Sequence, residues 1–438
     1  MDWNNLLSVS RLSSAHNNVD IRSAFQHDYD RIVFSTAFRR LQNKTQVFPL
    51  PGSQIVHNRL THSIEVASVG RSIACMVSQK LSQKFGADLE KKIAHIDFIV
   101  AAACLAHDLG NPPFGHSGEE SISSYFRDYE GQKYRELVTE AQWHDLTSFE
   151  GNANAIRILT HQFTGRRVGG LALTSATLAT LVKYPYPSFD NGNRKKYNVF
   201  CSELDIFDKI MSDCGIQAID SKRHIYHRHP LSFMMEAADD ICYLFLDMED
   251  AHKRSIVDTQ LVENCFTSFF NPFEDVQFFE YKDNVYNIVT DTNERIAFLR
   301  AQAINKLVDC VSNVFVENYE SIMNGSFEGG LISHLPEFQN NALNACRSIS
   351  KSNIYKHSSV VKIELTGYKV LGYLISSFTD AVMNPEKSYN KKLISLIPNQ
   401  FITTNDDVYS KIQIALDYIS NMTDLYAVQL YKDLNGIN

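Results

Sequence analysis

Four side chains, far apart along the polymer, carry the chemistry of metal ligands: His62, His107, Asp108 and Asp239. The adjacent pair His107-Asp108 is the most telling. It closes an unbroken apolar run, Phe98 to Ala106, and is followed by a Gly/Asn/Pro/Pro turn and a second polar cluster, His116 to Glu120. A carboxylate at the end of an apolar helix is costly unless it is neutralised or paired. A buried cation accounts for it better than packing does. The dipeptides His27-Asp28 and His144-Asp145 are internal controls; both stand in polar surroundings and read as solvated surface pairs. His62, taken alone within a helical stripe, reads as a hydrogen-bonded core residue. Together, two imidazoles and two carboxylates form a mixed N and O donor set that suits Mn, Fe, Zn, Co or Ni, and Mg less well. Four protein ligands leave positions on an octahedral ion for water or a phosphate oxygen.

Holding these groups in one place requires helices. The chain has 438 residues, 44% hydrophobic, with only 19 Gly and 11 Pro. Its long amphipathic runs, with no regular alternation, predict an all-α fold. An irregular arm is expected over 1–30 and a short helix over 30–41. After the breakers Pro49, Pro51 and Gly52, a long helix is expected over 57–81, with His62 beside its apolar stripe and Arg59 one turn earlier. Further helices are expected over 91–108, 149–160, 171–182 and 230–252, with 120–148 a charged surface and 188–196 a loop that is basic at its end. In 230–252, Asp239, Tyr243 and Asp247 stand at i, i+4 and i+8 along one side. Asp239 borders the apolar stripe, and Asp240 reads as a solvated or capping acid. Beyond 256 the expected helices are 257–270, 292–322, 338–350, 361–385 and 408–434. Glu364 is an acid inside the apolar run Val360 to Phe378.

The formal net charge of −8 argues against a constitutive duplex-DNA coat, which needs a dominant basic face. The 8 Cys are scattered with no CxxC pair, so neither a zinc ribbon nor a redox motif is expected. The first residues lack a signal-peptide layout and no apolar run reaches membrane-spanning length. The expectation is a soluble, cytoplasmic protein.

The order H…HD…D resembles that of the HD-domain metal-dependent phosphohydrolases, and the resemblance is closer to the deoxyguanosine triphosphate triphosphohydrolase family. It is carried by RRLQNKTQVFPL (39–50), NRLTHSIEV (58–66), HDLGNPPFGHSGEE (107–120), FEGNANAIRIL (149–159), LVKYP (181–185), KKYNVF (195–200), MEAADDICY (235–243), IELTGY (363–368) and DYISNMTDLYA (417–427). The sequence departs from the family pattern at Asn154, where Gln is frequent, at Asn198, where Gly is common, and at Asn421, which replaces Gly.

The resemblance implies an HD-domain catalytic core over 31–255 and a C-terminal helical region over 256–438 that completes the substrate pocket. It implies hydrolysis of dGTP, with other dNTPs open, to deoxynucleoside and tripolyphosphate through water attack at the α-phosphorus. It makes His62, His107, Asp108 and Asp239 the metal ligands, with Mn²⁺ or Mg²⁺ preferred and Co²⁺, Fe²⁺, Ni²⁺ or Zn²⁺ as other candidates. His116 and Glu119 become the catalytic pair. Gln46, Arg59, Asn152, Lys183, Tyr184, Lys196, Tyr243, Asp247 and Glu364 become substrate contacts. It also implies a homo-oligomer, with a hexamer as one form; single-stranded nucleic acid is left open as a ligand and is not predicted. The residues suit this chemistry. A triphosphate carries roughly four negative charges, and Arg59, Lys183 and Lys196 supply local cations in an acidic protein. His116 has an ordinary pKa near neutrality and can move a proton as acid or base, with Glu119 expected to orient it. Tyr243 can pack on the 2′ carbon and Asp247 can accept from the 3′ hydroxyl. The rival readings are another HD phosphohydrolase, a 5′-nucleotidase or phosphodiesterase, and a non-catalytic nucleotide or single-strand-binding scaffold.

Overall fold

A computed structural model describes residues 1–13, 21–49, 56–190 and 196–437. The architecture is all-α. Among the described residues the strands Ala218–Asp220 and Ile225–Tyr226 make one small antiparallel hairpin. No helix there is long and apolar enough to cross a membrane.

Three helices form the frame of the site. The first is Arg59–Phe85, opened by a capping box in which Asn58 and Thr61 exchange side-chain to backbone hydrogen bonds. The second, Ile96–Ala106, is buried along nearly its whole length. It packs closely on the first because Gly70 has no side chain: a Cβ there would lie 2.5 Å from Cys104 Sγ. The third, Pro230–Lys253, begins with Pro at its first turn, where no N–H is needed, and ends on His252 and Lys253, which complement the helix dipole.

The apolar side chains divide into two cores. The first runs from Trp3 to Val360 and takes in all three frame helices, so packing crosses the expected 255/256 division. The second joins Phe114, Ile122, Tyr125, Phe126 and Phe149 to the C-terminal helices Ser358–Met383, Val408–Ser420 and Asp424–Asn435. The turn after His107 passes between them: Leu109 belongs to the first core and Phe114 to the second.

Several expected elements are corrected. The arm is not irregular throughout, because Trp3–Leu6 and Ala24–Val33 are helical and Trp3 and Leu6 are buried. The expected 30–41 helix is broken by Ser35, which caps a new helix, Thr36–Arg40. The 91–108 span is two helices, Ala87–Lys92 and Ile96–Ala106. The 120–148 segment is not merely surface: His116–Asp128 buries Ile122, Tyr125 and Phe126. The 171–182 helix shortens to Ser175–Leu181, and Val276–Ile288 is a helix its sequence did not announce. The 408–434 span breaks where Thr423 caps Asp424–Asn435.

Both control dipeptides are also corrected. Asp28 is fully buried and accepts from Arg11, Thr174 and Thr177. Asp145 is buried and accepts from Ser188, Tyr409 and the Cys201 N–H. Partners distant in the sequence satisfy both carboxylates, which is how a carboxylate survives burial.

Candidate metal centre

His62, on the first turn of Arg59–Phe85, and His107, the residue that ends Ile96–Ala106, face each other with ring centroids 5.4 Å apart. Asp239, midway along Pro230–Lys253, completes the group. Its Oδ1 lies 3.3 Å from His62 Nε2 and 3.4 Å from His107 Nε2. One donor atom from each of the three falls within 4.8 Å of the others, close enough for a single cation.

The donor chemistry fits a metal. His107 Nδ1 sits 2.6 Å from the Cys104 carbonyl, which only accepts, so Nδ1 carries the proton and Nε2 presents its lone pair. That Nε2 is buried and has no hydrogen-bond partner among the described residues. Burial opposes charge on His107, yet Asp108 and Asp239 overcome it and raise its pKa. The pocket favours positive charge at this point. Burial would raise Asp239 as well, but Lys183 and then His107 hold it well below the usual carboxylate range.

Asp108 stands at the edge of this group. Its Oδ1 is 3.6 Å from His107 Nε2 and accepts from Asn111, while Oδ2 accepts from Arg59 at 2.9 Å. Despite burial, the Arg59 guanidinium and His107 bring its pKa down to about 2.

His116 and Glu119 occupy the first turn of His116–Asp128. His116 keeps an exposed edge, and partial desolvation, then nearby Lys196 and Arg59, lower its pKa. Glu119 is buried and does not orient His116: among the described residues no hydrogen bond joins them. It accepts instead from the Gly151 N–H at 2.9 Å and lies 3.5 Å from Lys196 Nζ. Burial raises its pKa.

The expected substrate contacts fall in several places. Lys183 Nζ reaches Asp239 Oδ2 at 2.7 Å. Lys196 Nζ lies 2.9 Å from Glu150, which also accepts from Asn152. Tyr184 is half-buried, and its N–H donates to Asn198. Gln46, half-buried just before Val47 and Phe48, has an amide oxygen with no partner among the described residues. Tyr243 remains 39% exposed and stacks on Tyr355 at 5.8 Å. Asp247 is buried, accepts from the Tyr355 hydroxyl at 2.8 Å, and is pushed up to about 8 by burial. Glu364 is exposed on Ser358–Met383, with no hydrogen bond or ion pair among the described residues. Lys195, the start of one resembling stretch, lies outside the described residues. Asp240 is half-buried, 3.5 Å from Arg347, and burial with Asp239 nearby raises it to about 6.

The three Asn departures all make hydrogen bonds. Asn154 donates to the Gly110 carbonyl, Asn198 bridges the Tyr184 N–H and the Asn152 carbonyl, and Asn421 accepts from Arg40. Sequence reasoning missed Glu150, Tyr355, Asn111 and Lys44. Glu150 had a visible signal, a carboxylate capping the Gly151–Thr160 helix. Tyr355 had none.

Comparison with known proteins points to one family. Residues 59–164 match the HD domain, and residues 334–433 match the phosphohydrolase-associated domain. A deoxyguanosinetriphosphate triphosphohydrolase-like protein of Synechocystis sp. is 38% identical over 100% of both chains. A similarly named Pseudomonas aeruginosa protein is 33% identical, covering 100% of this chain and 99% of its own. The deoxyguanosinetriphosphate triphosphohydrolase of Yersinia pseudotuberculosis is 30% identical over 97% of this chain and 96% of its own. The chain therefore belongs to the deoxyguanosinetriphosphate triphosphohydrolase family of HD-domain phosphohydrolases.

Proposed function

We propose that this protein hydrolyses deoxynucleoside triphosphates, dGTP foremost, at the α-phosphorus, releasing deoxynucleoside and tripolyphosphate. One observation carries the reading: an unpartnered imidazole lone pair on His107 faces Asp239 and His62, with Lys183, Arg59 and Lys196 close around. His62, His107 and Asp239 would hold the cation, with Asp108 alongside; Mn²⁺ is one of several ions this donor set suits and is the one used in the test below. A bound cation would supply Lewis-acid polarisation of the phosphate and offset the charge that develops there.

The remaining work falls to the chain's own groups. Lys183, Arg59 and Lys196 bind and orient a polyanion that an acidic protein would otherwise repel. His116, neutral at pH 7 because its pKa is lowered, accepts the proton from attacking water. Glu119 anchors Lys196 and the start of Gly151–Thr160. Tyr243 and Asp247 read the sugar, with Tyr355 fixing Asp247.

Product analysis with the four dNTPs and Mn²⁺ tests this. Tripolyphosphate with free deoxynucleoside is the expected outcome. Orthophosphate or pyrophosphate transfers the site to a 5′-nucleotidase or phosphodiesterase. No turnover, with or without a second nucleotide, leaves a binding scaffold.

A further inference from the structure

Between Asp108 and His116 the backbone makes an unusual turn. Phe114 has φ of +64°, a left-handed conformation that bulky side chains rarely adopt. Such a residue persists only where its surroundings hold it there. The holding groups come from the C-terminal helices. Asp424 Oδ1 accepts from the Phe114 N–H at 3.1 Å, and its Oδ2 accepts from the Thr45 N–H at 2.8 Å. Asp424 is buried, and it is not spent on its own helix, because Thr423 makes the capping bond. Lys44 adds a second tie. Its buried Nζ donates to the Asn111 carbonyl at 2.5 Å and the Ser420 carbonyl at 2.9 Å. Asn111 in turn donates to Asp108. Above the turn, Gly367 makes room for the Phe114 side chain: a Cβ on Gly367 would lie 2.8 Å from Phe114 Cβ.

We propose that Asp424 is a positioning residue of the reaction: from the C-terminal helices it clamps the left-handed turn at Phe114 and so sets where His116 stands relative to Asp108. Lys44 and Gly367 serve the same turn. The clamp acts on the proton-transfer group and leaves the cluster of His62, His107 and Asp239 on its own helices. The inference rests on the hydrolase function proposed above.

Two variants, Asp424→Ala and Gly367→Ala, test it in the full-length protein. For each, kcat and KM for dGTP are measured at saturating Mn²⁺, together with Mn²⁺ affinity and amide exchange of the 109–118 segment. A misplaced reacting group costs about 10²-fold. The expected result is a loss of kcat of that order, with KM and Mn²⁺ affinity held within about threefold and exchange in 109–118 accelerated. Gly367→Ala is the sharper case, since alanine favours the helix it enters. Pressure on Phe114 offsets that gain, so the variant's melting temperature should fall by no more than a few degrees, while its kcat falls by the factor given. It also decides the matter alone if Asp424→Ala does not fold. The clamp is overturned if exchange in 109–118 is unchanged, or if kcat stays near that of the parent in the folded variants. A parent protein inactive on every dNTP would sink the hydrolase reading, and exchange in 109–118 would still decide whether the turn is clamped.

Discussion

Lys183 Nζ lies 2.7 Å from Asp239 Oδ2, the carboxylate oxygen that does not face the two imidazoles. Asp239 is thus shared between a fixed cation of the protein and the place of a mobile one. The two substitutions should separate. Asp239→Ala should abolish stoichiometric Mn²⁺ binding; retained metal after gel filtration would contradict the ligand assignment. Lys183→Met should do the reverse, because it removes a competing positive charge: Mn²⁺ binding should tighten by about 3–10-fold while KM for dGTP rises by a similar factor. Titration calorimetry with Mn²⁺ checks both.

His116→Ala should keep the metal and lose about 10²–10⁴-fold in kcat. Its pKa is lowered, so at pH 7–8 the imidazole is already largely neutral and does not itself shape kcat/KM there. On acidification His116 takes up a proton and kcat/KM should fall. At saturating Mn²⁺ this acid limb belongs to His116, and the alanine variant should lack it. An unchanged limb in His116→Ala would assign the titration elsewhere.

Tyr243→Ala should admit ribonucleotides, lowering the dGTP/GTP ratio of kcat/KM by about tenfold or more. Tyr355→Phe removes the hydroxyl that Asp247 accepts from and should raise KM for dGTP with a smaller effect on that ratio. Unchanged rejection of GTP in Tyr243→Ala would clear this ring of the sugar-reading role.

Glu150 is raised to about 7 by burial and by the neighbouring Glu119 charge, from an ordinary 4.5. Between these values the folded protein binds more protons at this site than the unfolded chain. Its contribution is therefore fully present below about pH 4.5 and is lost as pH rises through about 7. Glu150→Gln does not titrate, so its stability relative to the parent should improve by about 2 kcal/mol between pH 5 and 8. Urea unfolding of both proteins across that range measures the difference.

The helical class and the order of the site residues were legible because apolar periodicity is local. The His107-Asp108 ending on a buried helix was legible for the same reason, as were Asp239, Tyr243 and Asp247, which one helix spaces by itself. What could not be read was long-range pairing. Asp28 and Asp145 looked solvated because their hydrogen-bond partners lie far off in sequence. Tyr355 follows a π-helical turn, Ser350–Ile354, with no periodic signature, and meets Asp247 only in the fold. Glu119 looked like a partner for His116 from their spacing at i and i+3. Gly151 and Lys196, both distant in the chain, claim it instead.

The passage of the 109–114 turn from one apolar core to the other has a thermal consequence. Warming that loosens either hydrophobic mass is expected to disturb this crossing before the long helices melt. Turnover should therefore be silenced at a temperature below the midpoint of helix loss by circular dichroism, and should return on cooling. The catalyst would behave as a fuse laid across a joint, failing early and reversibly while the rest of the molecule stands.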